Sequence, residues 1–243
     1  MATLLIDRFS PILNKIARVC VIVNEDAPMP APTLYMLHGG GDSGEGWLNK
    51  SGIERLSRDL PFLIVLPDAS ASWYCDSSVE MNESYLVREL VPFIDRTFKT
   101  RRTRATRAIA GPSMGGYGAL KLAFKHPEIF GAVAACESSL FFAHSMDDFA
   151  SRFREIPPVY ASIDRKQNDI FALAARRLRH NPKVYFDCGT DDLLLPLHRE
   201  LHRHLSRLGI KHAFRCFPGA HGMSYAIMRL PDSLKFLRRA VMK

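Results

Sequence analysis

Two short segments of the chain are apolar at every position, TLYML at 33–37 and FLIVL at 62–66. A strand with one face in water alternates apolar and polar residues, whereas a strand covered on both faces is apolar throughout. Runs this short also favour strands over buried helices. The two segments therefore predict a mostly parallel sheet that is covered by helices on both faces.

Strand-like and helix-like segments alternate along most of the chain. Strands are predicted at 18–24, 33–38, 62–67, 107–110, 131–136, 183–188 and 212–217, and helices at 52–59, 83–98, 115–125, 194–208 and 225–242. The first two strands are expected to pair antiparallel, because only the proline-rich loop EDAPMPAP separates them. Pro231 is a point where the last helix is expected to break or restart. This alternation predicts a doubly wound α/β fold.

Residues 139–181 interrupt the alternation. Two helix-like segments, SMDDFASRFREI and NDIFALAARRLR, fall there with a Pro-Pro pair between them, and no strand is predicted. Such a segment between two strands is typical of a helical cap or lid. Because no linker divides the chain, residues 1–243 are predicted to form a single domain with a cap-like insertion at 139–181.

The net charge of +8 raises the question of nucleic acid binding. The basic clusters lie at 101–104, 176–179 and 238–239; the first is expected between two elements and the others on helices with apolar faces. None is interleaved with aromatic residues, and neither an RNP pattern nor zinc-finger spacing occurs. We therefore predict a solvated basic surface, able to attract anionic substrates, and no nucleic acid partner.

The five cysteines are odd in number and form no C-x-x-C pair. Cys20, Cys136, Cys188 and Cys216 lie in apolar runs, which predicts buried free thiols and a reducing compartment. The first residues lack a secretory-signal pattern, and no apolar run approaches the roughly 18 residues of a membrane span. A cytoplasmic protein with no membrane partner is expected.

The segment Gly111-Pro112-Ser113-Met114-Gly115 fits the pattern G-x-S-x-G. The pattern alone is weak, but here an apolar strand precedes it and a helix rich in small residues follows it. A strand, a tight turn and a helix are what a nucleophile elbow requires. This predicts that Ser113 is a nucleophile at a helix N-terminus, which favours developing negative charge. The alternative is an ordinary strand–helix turn with a capping serine.

A serine nucleophile needs a base and an acid. His221 is the best base among nine histidines, because its loop follows the last strand and so lies at the same sheet edge as Ser113. The acid is Asp191 or Asp192, after the strand-like run KVYFDCG, and the pattern alone does not separate them. The chain order serine, aspartate, histidine is that of α/β-hydrolases.

An oxyanion intermediate needs hydrogen-bond donors. His38-Gly39-Gly40-Gly41 directly follows TLYML and resembles an HGGG-type oxyanion loop, with a plain glycine-rich turn as the alternative. The expected donors are the N–H groups of Gly40, with Gly41 as its rival, and of Met114. His38 is expected to orient the loop.

Three further histidines, His198, His202 and His204, share one predicted helix. The helix lacks H-E-x-x-H, and no further ligand is evident. A solvated helical face is therefore expected, and no metal site is predicted.

In this order, the motifs resemble those of the Putative esterase family of α/β-hydrolases, which includes tributyrin-type esterases, feruloyl esterases, S-formylglutathione hydrolases and mycolyl transferases. The resemblance covers nearly the whole chain and is most specific over AIAGPSMGGYGALKLAFKHPEIFGAVAACESS. It implies an α/β-hydrolase fold and no cofactor. The family's acid usually stands third after the glycine of a G-x-x-D loop, which selects Asp192.

The resemblance also implies oxyanion N–H groups at Gly40 and Met114. It suggests that Trp73 and Tyr74 line the acyl or alcohol pocket, with core packing as the alternative for either residue. The loop GGGDSGEG lacks the cysteine that S-formylglutathione hydrolases commonly carry in this region. The compact length favours the short tributyrin-esterase branch.

The expected function is that of a serine carboxylesterase, which hydrolyses short-chain or aryl esters through a Ser-His-Asp triad and an acyl-enzyme. One alternative is an S-formylglutathione hydrolase or related acyl thioesterase, and another is a non-catalytic binding protein on a hydrolase fold. The expected partner is a small-molecule ester. The sequence specifies neither the acyl chain length nor an oligomeric state, so a homo-oligomer stays open.

Overall fold

The fold is that of a computed structural model, which describes residues 1–145, 162–176 and 178–242. Its strands form one sheet in the order β1-β2-β4-β3-β5-β6-β7-β8. The pairs from β4 to β8 are parallel, whereas β2 is antiparallel to both β1 and β4. The strands are β1 (Ala2–Ser10), β2 (Lys15–Val23), β3 (Thr33–Met36), β4 (Leu63–Pro67), β5 (Arg107–Pro112), β6 (Ala132–Cys136), β7 (Lys183–Gly189) and β8 (His212–Phe217). The predicted mostly parallel sheet is confirmed.

The helices are α1 (Gly44–Ser51), α2 (Ile53–Ser57), α3 (Asn82–Ser84), a π-helical stretch (Tyr85–Leu90), α4 (Val91–Thr97), α5 (Ser113–Lys125), α6 (Arg165–Asn168), α7 (Ile170–Ala174), α8 (Leu195–Arg207) and α9 (Met223–Val241). One apolar layer contains residues of α1, α2 and α9, and the other contains residues of α4, α5, α7 and α8. Leu34 and Met36 belong to the first layer, and Tyr35 and Leu37 to the second. TLYML is therefore apolar at every position because successive side chains enter opposite cores.

Strand β1 and helix α1 were not predicted. Strand β1 pairs only with β2 and is mostly exposed, so it lacks the apolar run of the central strands. Helix α1 has the glycine-containing sequence GEGWLNKS, but its burial of Trp47 and Leu48 compensates for weak helix propensity. Ser43 also caps the helix, since its hydroxyl accepts the Gly46 N–H.

The expected pairing of the first two predicted strands is wrong. The edges of β3 are occupied by β4 and β5, and β2 lies beyond β4. Strand β2 instead runs antiparallel to β4, with Val21 opposite Val65. The proline-rich loop therefore carries the chain past the position of β4 rather than forming a hairpin.

Two helices that contain a proline differ from the prediction. Helix α9 runs unbroken through Pro231, with the buried Leu230 and Leu234 on either side holding it against the sheet. The predicted helix at 83–98 instead changes register, because its middle is π-helical and Val91 N–H donates to Leu86 O. Pro92 follows directly and has no N–H with which to continue an α-helical pattern across this point.

The prediction for residues 139–181 falls partly on residues 146–161, which lie outside those that the structure describes. Its described parts contain no strand and include α6 and α7. Ile170, Phe171 and Leu173 of α7 pack in the main apolar layer with α5 and α8. The end of this segment therefore belongs to the body of the fold rather than to a cap.

The five cysteines differ in their burial. Cys20, Cys136 and Cys188 are buried, as predicted, and Cys75 is buried in addition. Cys216 is exposed, against expectation, because β8 is an edge strand that is only partly covered. All five are free thiols.

The basic clusters lie largely where the sequence places them. Arg101 and Arg102 precede the single turn Arg104–Thr106, and Arg238 and Arg239 lie on α9. Arg176 and Arg179 follow α7 rather than forming part of a helix, because α7 ends at Ala174. In the part of the chain that is described, no helix is both long and apolar enough to cross a membrane.

A buried ion pair ties α5 to α3. The Lys121 ammonium is fully buried and lies 2.7 Å from the Glu83 carboxylate, which also contacts Lys125 and His126 at 3.0 and 2.9 Å. Burial raises the pKa of Glu83, but these neighbours outweigh it and lower the pKa well below its ordinary range. The carboxylate is therefore ionised and compensates the buried lysine.

We expect Glu83→Gln to lower the free energy of unfolding by about 3–5 kcal/mol at neutral pH, because it leaves the Lys121 charge buried without its partner. Urea unfolding measures this change. The difference from wild type should shrink below the ordinary Glu pKa of 4.5, because a lowered pKa stabilises only while the carboxylate is ionised. The exposed Asp59→Asn is the control. An equally small effect of both substitutions would contradict this role of Glu83.

Candidate active site

The turn between β5 and α5 has the geometry of a nucleophile elbow. Strand β5 ends at Pro112 and α5 begins at Ser113, whose φ of +51° lies in the left-handed region. A non-glycine residue keeps such a conformation only where its surroundings enforce it. A Cβ on Gly111 would lie 2.7 Å from Leu37 O, and one on Gly115 would lie 2.6 Å from His38 O. Both glycines are thus required for the elbow to pack against the end of β3.

A chain of hydrogen bonds leads away from Ser113. Its Oγ lies 2.9 Å from His221 Nε2, and His221 Nδ1 lies 2.9 Å from Asp192 Oδ2. The other oxygen of Asp192 accepts the Leu194 N–H at 2.8 Å, which fixes the carboxylate. The side chain of Asp191 is exposed instead. The structure therefore brings Ser113, His221 and Asp192 together, and it leaves Asp191 outside.

The electrostatics of this chain favour charge separation. Burial lowers the pKa of His221, but the Asp192 hydrogen bond and the charge of Glu137 raise it above its ordinary value of 6.5. Burial raises the pKa of Asp192, but hydrogen bonds from His221 and from the Leu194 N–H lower it further. Asp192 is therefore ionised at neutral pH and stabilises a protonated His221.

With His221 as the expected base, its raised pKa predicts how kcat/KM depends on pH. A base accepts a proton only in its neutral form, so kcat/KM should rise with pH through the pKa of His221 in the free enzyme. Because that pKa is raised, the half-maximal point should lie above 6.5. A pH series of kcat/KM with a neutral ester measures it. An acid limb centred at or below 6.5 would contradict this assignment.

The glycine loop after β3 lies against the elbow. His38 Nδ1 lies 2.8 Å from Gly39 O, and His38 Nε2 accepts the Ala69 N–H at 3.1 Å, so this buried histidine orients the loop as expected. A Cβ on Gly40 would lie 4.0 Å from the Met114 Cβ. A Cβ on Gly41 would have no described neighbour within 4 Å. Gly40 rather than Gly41 therefore stands beside the start of α5.

The two aromatic residues predicted beside the site occupy different places. Tyr74 is completely buried and donates its hydroxyl to His38 O at 2.9 Å. It lies in the core beneath the glycine loop and does not line a pocket. Trp73 is partly exposed and stacks on Phe142, with ring centroids 4.2 Å apart. Only Trp73 remains a candidate for contact with substrate.

Sequence reasoning missed two residues that follow β6. Ser139 Oγ lies 3.1 Å from Ser113 Oγ, and the Ser139 N–H donates to Ser113 O. The buried Glu137 accepts the Gly222 N–H at 2.8 Å, and its Oε2 lies 3.8 Å from His221 Nδ1. The signal was present, because both residues lie within three positions after the apolar run AVAAC, at the sheet edge where Ser113 was predicted.

Ligand atoms of Glu137, Asp192 and His221 lie within 4.8 Å of one another. Two of them are already joined by the hydrogen bond between Asp192 and His221, which engages His221 Nδ1. The three histidines of α8 diverge, with His202 contacting His212 and His204 contacting Phe171 O. His198 is fully buried and donates to Leu194 O, so the expected solvated face is wrong at this position.

The chain is similar in sequence to known esterases. The family model for "Putative esterase" matches residues 21–237. An acetyl esterase of Caldicellulosiruptor saccharolyticus is 28% identical, covering 93% of this chain and 94% of the relative. An esterase of Mycobacterium tuberculosis is 29% identical over 82% of this chain, which spans only 50% of that relative.

Solved structures share the fold at lower identity. A fluorophosphonate-binding serine hydrolase of Staphylococcus aureus superposes with a TM-score of 0.86 at 22% identity, and 98% of each chain is covered. An S-formylglutathione hydrolase of the same organism superposes with a TM-score of 0.84 at 21% identity and the same coverage. The family match, which extends from β2 to α9, and the α/β-hydrolase fold show that the chain is an esterase that belongs to the Putative esterase family.

Proposed function

We propose that the chain is a serine carboxylesterase in which Ser113 is the nucleophile, His221 the general base and Asp192 the acid that orients it. The observation that carries the proposal is the continuous relay from Ser113 Oγ through His221 to Asp192, with 2.9 Å at each step. Its position at a turn with a left-handed serine adds support, because an elbow of this kind exposes the nucleophile above the sheet edge.

The first half-reaction forms an acyl-enzyme. His221 Nε2 takes the Ser113 proton while Oγ attacks the ester carbonyl, and the histidine then gives this proton to the leaving alkoxide. Asp192 holds the Nδ1–H and stabilises the imidazolium that forms. Its depressed pKa keeps it ionised throughout.

The N–H groups of Gly40 and Met114 stabilise the oxyanion. Gly40 stands beside Met114, the residue that follows the nucleophile at the start of α5, where unpaired helix N–H groups and the helix dipole favour negative charge. In the second half-reaction, His221 activates a water that hydrolyses the acyl-enzyme and restores Ser113. No cofactor is required for either step.

The proposed substrates are small esters with a short acyl group or an aryl group. The acetyl esterase among the relatives supports the short acyl group. The test compares p-nitrophenyl acetate, butyrate and octanoate, with a blank that contains Ser113→Ala. The highest kcat/KM is expected for acetate or butyrate. Activity confined to octanoate would contradict the short-acyl assignment, and absence of hydrolysis of all three would contradict the carboxylesterase.

The second candidate is a thioesterase that acts on S-formylglutathione or a related acyl thiol. The structural similarity to an S-formylglutathione hydrolase and the net charge of +8, which suits an anionic substrate, favour it. A kcat/KM for S-formylglutathione far above that for p-nitrophenyl acetate would establish this candidate. The reverse ratio supports the carboxylesterase. An intact relay disfavours a non-catalytic binding protein.

We further infer that residues 1–243 form one domain and that residues in 139–181 shape the substrate site. The single sheet from Ala2 to Phe217 supports the first point, and the contact of Ser139 with Ser113 supports the second. The five free thiols suit the reducing environment of the cytoplasm.

A further inference from the structure

A second carboxyl group faces the histidine of the relay. Glu137 is 2% exposed, and its Oε2 lies 3.8 Å from His221 Nδ1, the nitrogen that Asp192 Oδ2 contacts at 2.9 Å. The same Oε2 accepts the N–H of Gly222, the residue next to His221. One nitrogen of the base is therefore within reach of two acids, of which one is engaged and the other stands slightly farther away.

Glu137 approaches from its own strand. It directly follows β6, which lies between β5, the strand before Ser113, and β7, the strand before Asp192. Its backbone is anchored, because the Glu137 N–H donates to Asp187 O at 2.8 Å. Its φ of +40° is in the left-handed region, where a glutamate is found only when its surroundings enforce it. The fold thus holds this side chain at the site, and nothing in the proposed esterase reaction assigns it a task.

We propose that Glu137 is a reserve acid for His221: it positions the His221 loop through Gly222 and takes over the Nδ1–H when the carboxylate of Asp192 is absent. This inference rests on the proposed function, because it concerns the same histidine. The distance of 3.8 Å requires only a small advance of a flexible side chain into the space that Asp192 would vacate.

The charges around Glu137 permit this role. Burial raises the pKa of Glu137 to about 7, and Asp192 and Asp187 raise it as well, whereas His221 and the Gly222 N–H lower it. Removal of Asp192 takes away one of the groups that raise the pKa. The Glu137 carboxylate is then more readily ionised at neutral pH, when a protonated His221 needs a partner.

The test is a double-mutant cycle on kcat/KM with p-nitrophenyl butyrate. Asp192→Ala is used because it empties the space into which Glu137 can advance, which an asparagine would fill. We expect a loss of about 10²-fold in Asp192→Ala and about 10⁴-fold in the double variant with Glu137→Gln, the latter matching a triad without a working acid. Glu137→Gln alone keeps an acceptor for Gly222 and should lose at most about tenfold.

The pH profile separates a charge from a structural role. The Asp192→Ala variant is active only when His221 is neutral and Glu137 is ionised, so two groups must lose a proton. The double variant requires only a neutral His221. The acid limb of kcat/KM should therefore be steeper in Asp192→Ala than in the double variant. The exposed neighbour Asp191→Ala is the matched control and should behave as wild type. Equal activity of Asp192→Ala and the double variant, or equal slopes of their acid limbs, would overturn the inference.

The two possible failures are distinguishable. If the proposed function is wrong, the wild type is inactive or the Ser113→Ala variant is as active as wild type. If only the inference about Glu137 is wrong, the activity of the wild type depends on Ser113, and the Asp192→Ala variant is as inactive as the double variant. Urea unfolding of each variant shows that activity is compared between folded proteins.

Discussion

Replacement of Ser113 by alanine should lower kcat for ester hydrolysis by about 10⁶-fold, because it removes the atom that forms the acyl-enzyme. The KM should change little, since the hydroxyl contributes to the transition state rather than to substrate binding. The structure argues for a large effect, because Oγ is the group of the elbow that contacts His221. Kinetics with p-nitrophenyl butyrate, together with the absence of a burst of p-nitrophenol, measures the loss.

Ser43→Ala is the matched control for Ser113→Ala. Ser43 lies in Gly41-Asp42-Ser43-Gly44, a sequence with a passing likeness to a protease serine motif, but its hydroxyl caps α1 by accepting the Gly46 N–H. Loss of this cap should cost about 1 kcal/mol of stability and leave kcat unchanged. Substantial turnover in Ser113→Ala that disappears in Ser43→Ala would refute the assignment of the nucleophile.

Replacement of His221 by alanine should also lower kcat by about 10⁶-fold. Without the imidazole, Ser113 must attack in its protonated state, and no group is placed to protonate the leaving alkoxide. The serine and histidine act as one unit, so the double variant should be no slower than either single variant. Single-turnover measurements should place the loss in acyl-enzyme formation.

The control for this variant is His180→Ala, at an exposed histidine remote from the relay in sequence. It should keep the turnover of wild type. Partial recovery of His221→Ala by added imidazole would support the base role, since a free base could enter the vacated space. A loss of less than about 10²-fold in His221→Ala would mean that another group serves as the base.

The sequence predicted the central architecture because burial on both faces leaves a strong mark. Segments such as TLYML must be apolar at every position when Tyr35 and Met36 enter opposite layers. The elbow was predictable for a similar reason, since Gly111 and Gly115 have no room for a side chain. Each of these constraints acts within a few consecutive residues, so it can be recognised from a short stretch of sequence.

Contacts between segments that are distant in sequence could not be recognised in this way. The residue pattern by itself did not separate Asp191 from Asp192, because they differ in the direction in which each side chain leaves one turn, and only the family resemblance selected Asp192. The role of Tyr74 depends on a hydroxyl that reaches His38 O across the fold. Glu137 was overlooked because a single acidic residue after a strand can have many roles. Its place at the site follows from the position of β6 between β5 and β7.

Four adjacent parallel strands each deliver one polar group to the site: Ser113 after β5, Glu137 after β6, Asp192 after β7 and His221 after β8. Strands β6 and β7 separate β5 from β8, a span of roughly 14 Å at about 4.8 Å per strand. The loop after β8 therefore returns across the sheet edge, which places His221 Nε2 2.9 Å from Ser113 Oγ. Substrate choice can therefore be redirected during evolution or design in loops that hold none of these four groups, while the strands and the loop after β8 keep the arrangement of the site.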